Sequence, residues 1–265
     1  MLPLPTVVCA GIPVVVTNPA DACRWLIAEA VDRRERPPGR GLGVHLCNSY
    51  VVSLTSRSEA YRAHFLQDCV NLPDGVPLAW VVRRVKGMRG ARAVRGPALM
   101  TSAMEQGRPY AIRHALIGGG EDLQEKLKAR LRAQAPGVDL ALCLPLPYAE
   151  DLTHLAESVA EQINATQADL AWIGLGTPKQ DLLVAALIPL VSCPVLAVGA
   201  ALDFAAGTKK EAPRWVHDSG FEWLFRLVTE PRRLWRRYLV GNVVFMFAVV
   251  RGQLSDRRAS RSATP

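Results

Sequence analysis

Leu170-Ala-Trp-Ile-Gly-Leu-Gly-Thr-Pro-Lys-Gln-Asp-Leu-Leu-Val-Ala-Ala-Leu-Ile188 decides the fold. Its first six residues are a short apolar run that reads as a buried strand, Leu170–Leu175. Gly176 to Lys179 then turn the chain, with a proline at the position where a helix can begin. Gln180–Ile188 follows with helical spacing. Strand, tight turn and helix in succession are the repeating unit of a parallel sheet. Working outward, strands are predicted at Val44–Cys47, Cys69–Leu72, Ala111–Ile117, Leu140–Leu144 and Val195–Val198. Helices are predicted at Ala20–Asp32, Val51–Phe65, Val76–Val85, Ala98–Gln106, Glu121–Ala133 and Leu152–Ala165. The alternation gives an α/β fold, a Rossmann-like, mostly parallel sheet with helices on both faces.

Charge divides the chain. Residues 1–206 hold 20 Lys/Arg against 19 Asp/Glu, whereas residues 207–265 hold 12 against 5, so nearly all of the net charge of +8 lies in the last part. The expected organisation is an α/β core over 1–206, a basic, Arg/Trp-rich helical appendage over 207–254, and a disordered Ser/Arg-rich tail over 255–265. A neutral body with a basic arm points to an anionic partner: a phosphate, a nucleic acid or an acidic membrane. Six cysteines, never closer than 14 residues, offer no C-x-x-C pair and read as small buried hydrophobes of a reducing compartment. No run reaches the ~20 apolar residues of a membrane span, and the opening Met1-Leu-Pro-Leu-Pro does not read as a secretory signal. Leu239–Val250 is apolar and follows an arginine cluster, as a segment lying on a membrane surface or buried against a partner would.

Ligands of open α/β sheets bind at the carboxyl ends of the strands. Asn48 follows one predicted strand, Asp74-Gly75 another, Gly118-Gly119 a third, and Gly176-Thr177-Pro178-Lys179-Gln180 a fourth. Asp74 can act as general base or cap the helix that starts at Val76, and spacing alone leaves both open. Thr177-Pro178 fits a plain turn equally well, while Lys179 and Gln180 are not required by it. Gly118-Gly-Gly120 lacks the spacing of a dinucleotide loop.

Three stretches, in this order, carry a resemblance: Asn71-Leu-Pro-Asp-Gly75 with Leu78-Ala-Trp80, Gly174-Leu-Gly-Thr-Pro-Lys-Gln180, and Gly199-Ala-Ala-Leu-Asp-Phe-Ala-Ala-Gly207 running on to Tyr238. With Gly11-Ile-Pro-Val14 as a first strand, the chain over roughly residues 10 to 250 resembles the WecG/TagA/CpsF family of bacterial glycosyltransferases. The resemblance implies an inverting hexosyl transfer, of an N-acetylmannosamine-type sugar in many members, from a UDP-sugar to a polyprenyl-diphosphate-linked sugar in cell-wall polysaccharide or teichoic-acid-type assembly. It implies that Asp74 is the base, with Gln180 and the appendage arginines Arg226, Arg233 and Arg237 as catalytic partners. Asn48, Gly75, Gly118, Gly119, Gly176, Thr177, Lys179, Asp203, Arg214, Arg232 and Arg236 would bind substrate. Leu46 and Ala98 depart from the family pattern, in which a Thr and an Asp are usual, and leave the donor sugar open.

No cofactor or metal is expected. The sequence holds no Asp-x-Asp pair and its five histidines are dispersed, so guanidinium groups are expected to meet the leaving diphosphate. Arg226, Arg233 and Arg237, spaced i, i+7 and i+11, would share one side of a helix that ran through Pro231, although proline breaks or restarts helices. Trp215, Trp223 and Trp235 fit buried or lipid-facing positions equally. The expected partners are a UDP-sugar, the lipid-linked acceptor and the inner face of the cell membrane, with no nucleic acid; a homo-oligomer is left open. The competing reading is a non-enzymatic membrane-surface or nucleic-acid binding module that uses the basic arm alone, and such a module has no need of Asp74 and Gln180 at strand ends.

Overall fold

The computed structural model describes residues 4–146, 152–209 and 222–262, with Thr153, Glu222, Arg226, Arg233 and residues 255–262 described by backbone alone. A hairpin comes first, β1 (Thr6–Cys9) antiparallel to β2 (Ile12–Val15), turning at Ala10 and Gly11. Gly11–Val14 thus joins a separate two-stranded sheet and not the main one.

The main sheet has β3 (Leu42–Cys47), β4 (Cys69–Pro73), β5 (Arg113–Ile117), β6 (Asp139–Leu144), β7 (Leu170–Ile173) and β8 (Pro194–Ala197). All pairs are parallel and the spatial order is β4-β3-β8-β7-β5-β6. Side chains alternate between two cores. In β7, Leu170 and Trp172 pack with α1 (Pro19–Glu35), α5 (Gly96–Gln106), α6 (Glu121–Gln134) and α9 (Ala201–Ala206). Ala171 and Ile173 pack on the other face with α7 (Leu152–Thr166) and α8 (Lys179–Leu187). Burial on both faces is why these strands read as continuous apolar runs.

Two helical stretches differ from their expected form. Val51–Phe65 divides into α2 (Ser49–Thr55) and α3 (Glu59–Ala63), because Ser58 starts a second helix, its Oγ accepting from the Tyr61 N–H at 3.1 Å. Val76–Val85 starts as α4 (Val76–Trp80) and widens into a π-helical turn over Val81–Val85.

The C-terminal part is helical: α10 (Glu222–Thr229), then α11 (Pro231–Ser262). The chain breaks before Pro231, so Arg226 does not share a helix with Arg233 and Arg237. Beyond Leu254, where composition predicts disorder, α11 continues as helix to Ser262. Its inner side closes a third core: Phe245 and Val249 lie buried with Ile12, Val14, Val51, Val52, Tyr61 and Phe65. Gly241 permits close approach to α2, since a Cβ there would stand 3.3 Å from Tyr50 Cδ2. The Ser49 hydroxyl donates to Asn242 Oδ1 at 2.8 Å beside it.

Candidate active site

The topology fixes where the site is. β3 and β8 are neighbours, and the helices that follow them lie on opposite faces of the sheet, α2 in the third core and α9 in the first, so a crevice opens between their carboxyl ends. A cleft of two chambers opens there. The first is lined by Leu46, Gly96, Pro97, Gly176, Thr177, Gln180, residues 197–201 and Phe204. The second is lined by Ser49, Tyr50, Gly75, Val76, Pro77, Ala93, Trp223, Tyr238 and Asn242. Asn48, Asp74, Arg95 and Arg237 line both and mark their junction.

Asp74 directly follows β4, its N–H donating to the Cys47 carbonyl at 2.7 Å. Asn48 accepts from the Tyr50 and Val51 N–H groups as N-cap of α2, and its Nδ2 lies 3.4 Å from Asp74 Oδ2. The N-cap of α4 is Gly75, at φ 76°, so Asp74 stands one residue outside the cap position. The cleft therefore presents a carboxylate whose orientation is set by an amide that is itself locked by the start of a helix.

Gln180 is buried, and its Oε1 accepts from the Gly176 N–H at 3.0 Å and the Gly199 N–H at 2.8 Å. It joins the loops after β7 and β8. Behind it, Asp181 is enclosed: its carboxylate accepts from the Tyr61 hydroxyl at 2.8 Å and faces His45 Nδ1 at 3.0 Å. Burial, then the Asp181 charge, push the Tyr61 hydroxyl far above its usual pKa, so it stays a donor. This ties α3 and β3 to the first turn of α8, where Gln180 sits.

The remaining expected residues divide. Gly176, Thr177 and Arg237 line the cleft with Asn48, Asp74, Gly75 and Gln180. Arg237 also lies over the Tyr50 ring, 4.8 Å from its centroid. Gly118 and Gly119 are outside this lining, and at Gly118 a Cβ would stand 2.7 Å from the Gly174 carbonyl, which gives a packing reason for the glycine. Lys179 is half-buried and Asp203 pairs with Lys209 at 3.2 Å; neither lines the cleft. Arg232 and Arg236 are exposed, Arg236 lying against Trp235. Arg214 and the side chains of Arg226 and Arg233 lie outside the described residues.

Arg95, Tyr50, Ser49, Trp223, Tyr238 and Asn242 were not singled out by sequence reasoning as site residues. Apart from Arg95, their grouping depends on the C-terminal helices folding back on α2, for which the sequence signal is weak; Arg95, a cation directly before the start of α5, stood where a search of loops could have found it. A second arginine-rich hollow lies at the amino ends of the strands. There Arg34 and Arg113 both bind Asp169, Arg33 binds Glu29 and Arg40 binds Asp68, which makes it a clamp between elements.

A carboxylate and two arginines lining one cleft at the carboxyl ends of parallel strands fit an α/β enzyme with a phosphorylated ligand. Residues 7–259 match the Glycosyl transferase WecG/TagA/CpsF family, and the chain belongs to it: it is a glycosyltransferase. It is 27% identical over 169 residues to N-acetylglucosaminyldiphosphoundecaprenol N-acetyl-beta-D-mannosaminyltransferase of Bacillus spizizenii (strain ATCC 23059 / NRRL B-14472 / W23), covering 63% of this chain and 63% of that relative, slightly under two thirds of its length. It is 23% identical over 213 residues to a protein of the same name from Staphylococcus aureus (strain NCTC 8325 / PS 47), covering 80% and 81% respectively. Among the described residues no helix is long and apolar enough to cross a membrane.

Proposed function

We propose that this glycosyltransferase moves an N-acetylmannosamine-type hexosyl group from a UDP-sugar to a polyprenyl-diphosphate-linked N-acetylglucosamine, with inversion, in cell-wall polysaccharide or teichoic-acid-type assembly. The observation that carries the reading is Asp74 at the junction of the two chambers, beside Asn48 and flanked by Arg95 and Arg237. Two substrates reaching that junction from the two chambers would meet at this carboxylate. The acceptor hydroxyl gives its proton to Asp74 and its oxygen bonds to the anomeric carbon. The anomeric carbon–oxygen bond to the diphosphate breaks, and its electron pair leaves with UDP. Guanidinium groups stabilise that developing charge without a resident metal. With Oε1 of Gln180 held by two backbone N–H groups, its Nε2 is the group left to contact a sugar hydroxyl.

The outer face of the C-terminal helices supports a peripheral position at the inner membrane surface, where a lipid-linked acceptor resides. Val228, Leu239, Val243, Met246, Phe247 and Val250 are all exposed, with Arg232 and Arg236 near the helix start.

Transfer assays with UDP-N-acetylmannosamine and a short-chain lipid-diphosphate acceptor test this reading. The wild-type protein is expected to turn over in excess EDTA, and Asp74→Asn to lower kcat by about 10²–10⁴-fold while UDP affinity stays within a few-fold. Turnover of Asp74→Asn near the wild-type rate places the base elsewhere, and activity that vanishes with chelator and returns with magnesium overturns the metal-free mechanism.

A further inference from the structure

Among the described residues, the charged side chains that line the cleft are Asp74, Arg95 and Arg237. The two arginines reach the same junction from different parts of the molecule. Arg237 belongs to α11, which is held to the rest by helix packing and the Ser49–Asn242 bond. Arg95 belongs to the core. Its backbone is fixed from both sides: the Val94 N–H donates to the Pro73 carbonyl at 2.7 Å, one residue before Asp74, and the Leu99 N–H donates to the Arg95 carbonyl at 2.9 Å. Gly96 is wedged between strand ends, where a Cβ would stand 2.9 Å from Leu46 Cδ1 and 3.1 Å from the Val198 carbonyl. Gly96 and Pro97 then continue along the chamber that holds Gly176, Thr177, Gln180 and Gly199. The Arg95 backbone is therefore fixed at that chamber by core contacts without α11, and its half-buried side chain lines the cleft.

Resting on the transfer proposed above, we propose that Arg95 is the core's own diphosphate-binding residue, which holds the diphosphate of the nucleotide-sugar donor independently of the C-terminal helix, with Arg237 added when α11 is packed. A guanidinium is permanently charged and matches two phosphate oxygens at once. Beside a single carboxylate, one guanidinium only neutralises the cleft; two leave the positive surplus that a departing diphosphate requires. As the anomeric carbon–oxygen bond breaks, the electron pair stays on the β-phosphate oxygen that Arg95 contacts.

The lipid acceptor also carries a diphosphate, so the test separates the two sources. Full-length wild-type, Arg95→Gln, Arg95→Lys and Arg237→Gln proteins are titrated calorimetrically with UDP, UMP and a short-chain prenyl diphosphate. Arg95→Gln is expected to weaken UDP by about 10- to 100-fold, to leave UMP and the prenyl diphosphate nearly unchanged, and to lower kcat; Arg95→Lys recovers part of the UDP affinity. Arg237→Gln is expected to lower kcat with a smaller effect on UDP. Equal losses for UDP and UMP make Arg95 a structural residue, no loss for UDP removes it from the site, and a loss confined to the prenyl diphosphate assigns it to the acceptor; each overturns the proposal. A wild-type protein that binds neither UDP nor UMP instead overturns the UDP-sugar reading on which it rests.

Discussion

His114 shows how burial sets the chemistry of one residue. It is 1% exposed in β5, and its Nδ1 accepts from the Trp172 indole N–H at 3.1 Å, so the neutral ring is the form that fits. Burial pulls its pKa down to about 4, against a smaller opposing effect of Asp169. An unfolded histidine titrates near its ordinary value, so below about pH 6.5 the unfolded chain binds a proton that the folded chain refuses. Stability is therefore expected to fall as pH drops from about 6.5 towards 4, by an amount on the order of 3 kcal/mol at the acid limit. Urea midpoints between those pH values test this: His114→Gln, which keeps an acceptor for the indole and does not titrate, should show a flatter decline than the wild type. A parallel decline in both proteins assigns the acid sensitivity to other groups.

At the scale of elements, the contact between α11 and α2 decides whether the second chamber exists. Tyr50 and Ser49 come from one helix, Arg237, Tyr238 and Asn242 from the other, and Gly241 sets their distance. Gly241→Leu has no room beside Tyr50, and overpacking of this kind costs about 1–3 kcal/mol. The expected outcome is a helix displaced from α2, with kcat/KM reduced by about tenfold or more while far-UV circular dichroism and UDP binding, which rest on the core, stay close to wild type. Gly241→Ala should be intermediate. Unchanged turnover in Gly241→Leu would mean that transfer does not require the docked helix.

For the whole molecule, α11 divides its apolar residues between two environments. Leu234, Phe245 and Val249 are buried, while Val243 is 56% and Phe247 73% exposed on the other side. Deleting the helix would confound the two roles, so charges on the outer face are the cleaner test. The double variant Val243→Glu with Phe247→Glu is expected to lose co-sedimentation with vesicles rich in anionic lipid, where each nearby Lys or Arg contributes about 1 kcal/mol. Turnover on a short, water-soluble acceptor should be unchanged, because neither residue lines the cleft. Undiminished vesicle binding would remove the membrane role from this face.

The sequence by itself determined the parallel α/β core, because strands buried on both faces must be apolar throughout and must alternate with helices. It also placed Asn48, Asp74, Gly75, Gly176, Thr177 and Gln180 at strand ends, where local punctuation by glycine, proline and aspartate is legible, and the family motifs singled out the same positions. The strand order was not legible, since parallel strands carry no mark of their neighbours, and so the crevice between β3 and β8 appeared only in three dimensions. Nor did local pattern show that Arg237 would line the cleft with Asp74 while Arg232 and Arg236 stayed exposed. That choice depends on which side of α11 finds Tyr50 and the buried core beneath it, a contact between residues nearly two hundred positions apart that only the tertiary structure decides.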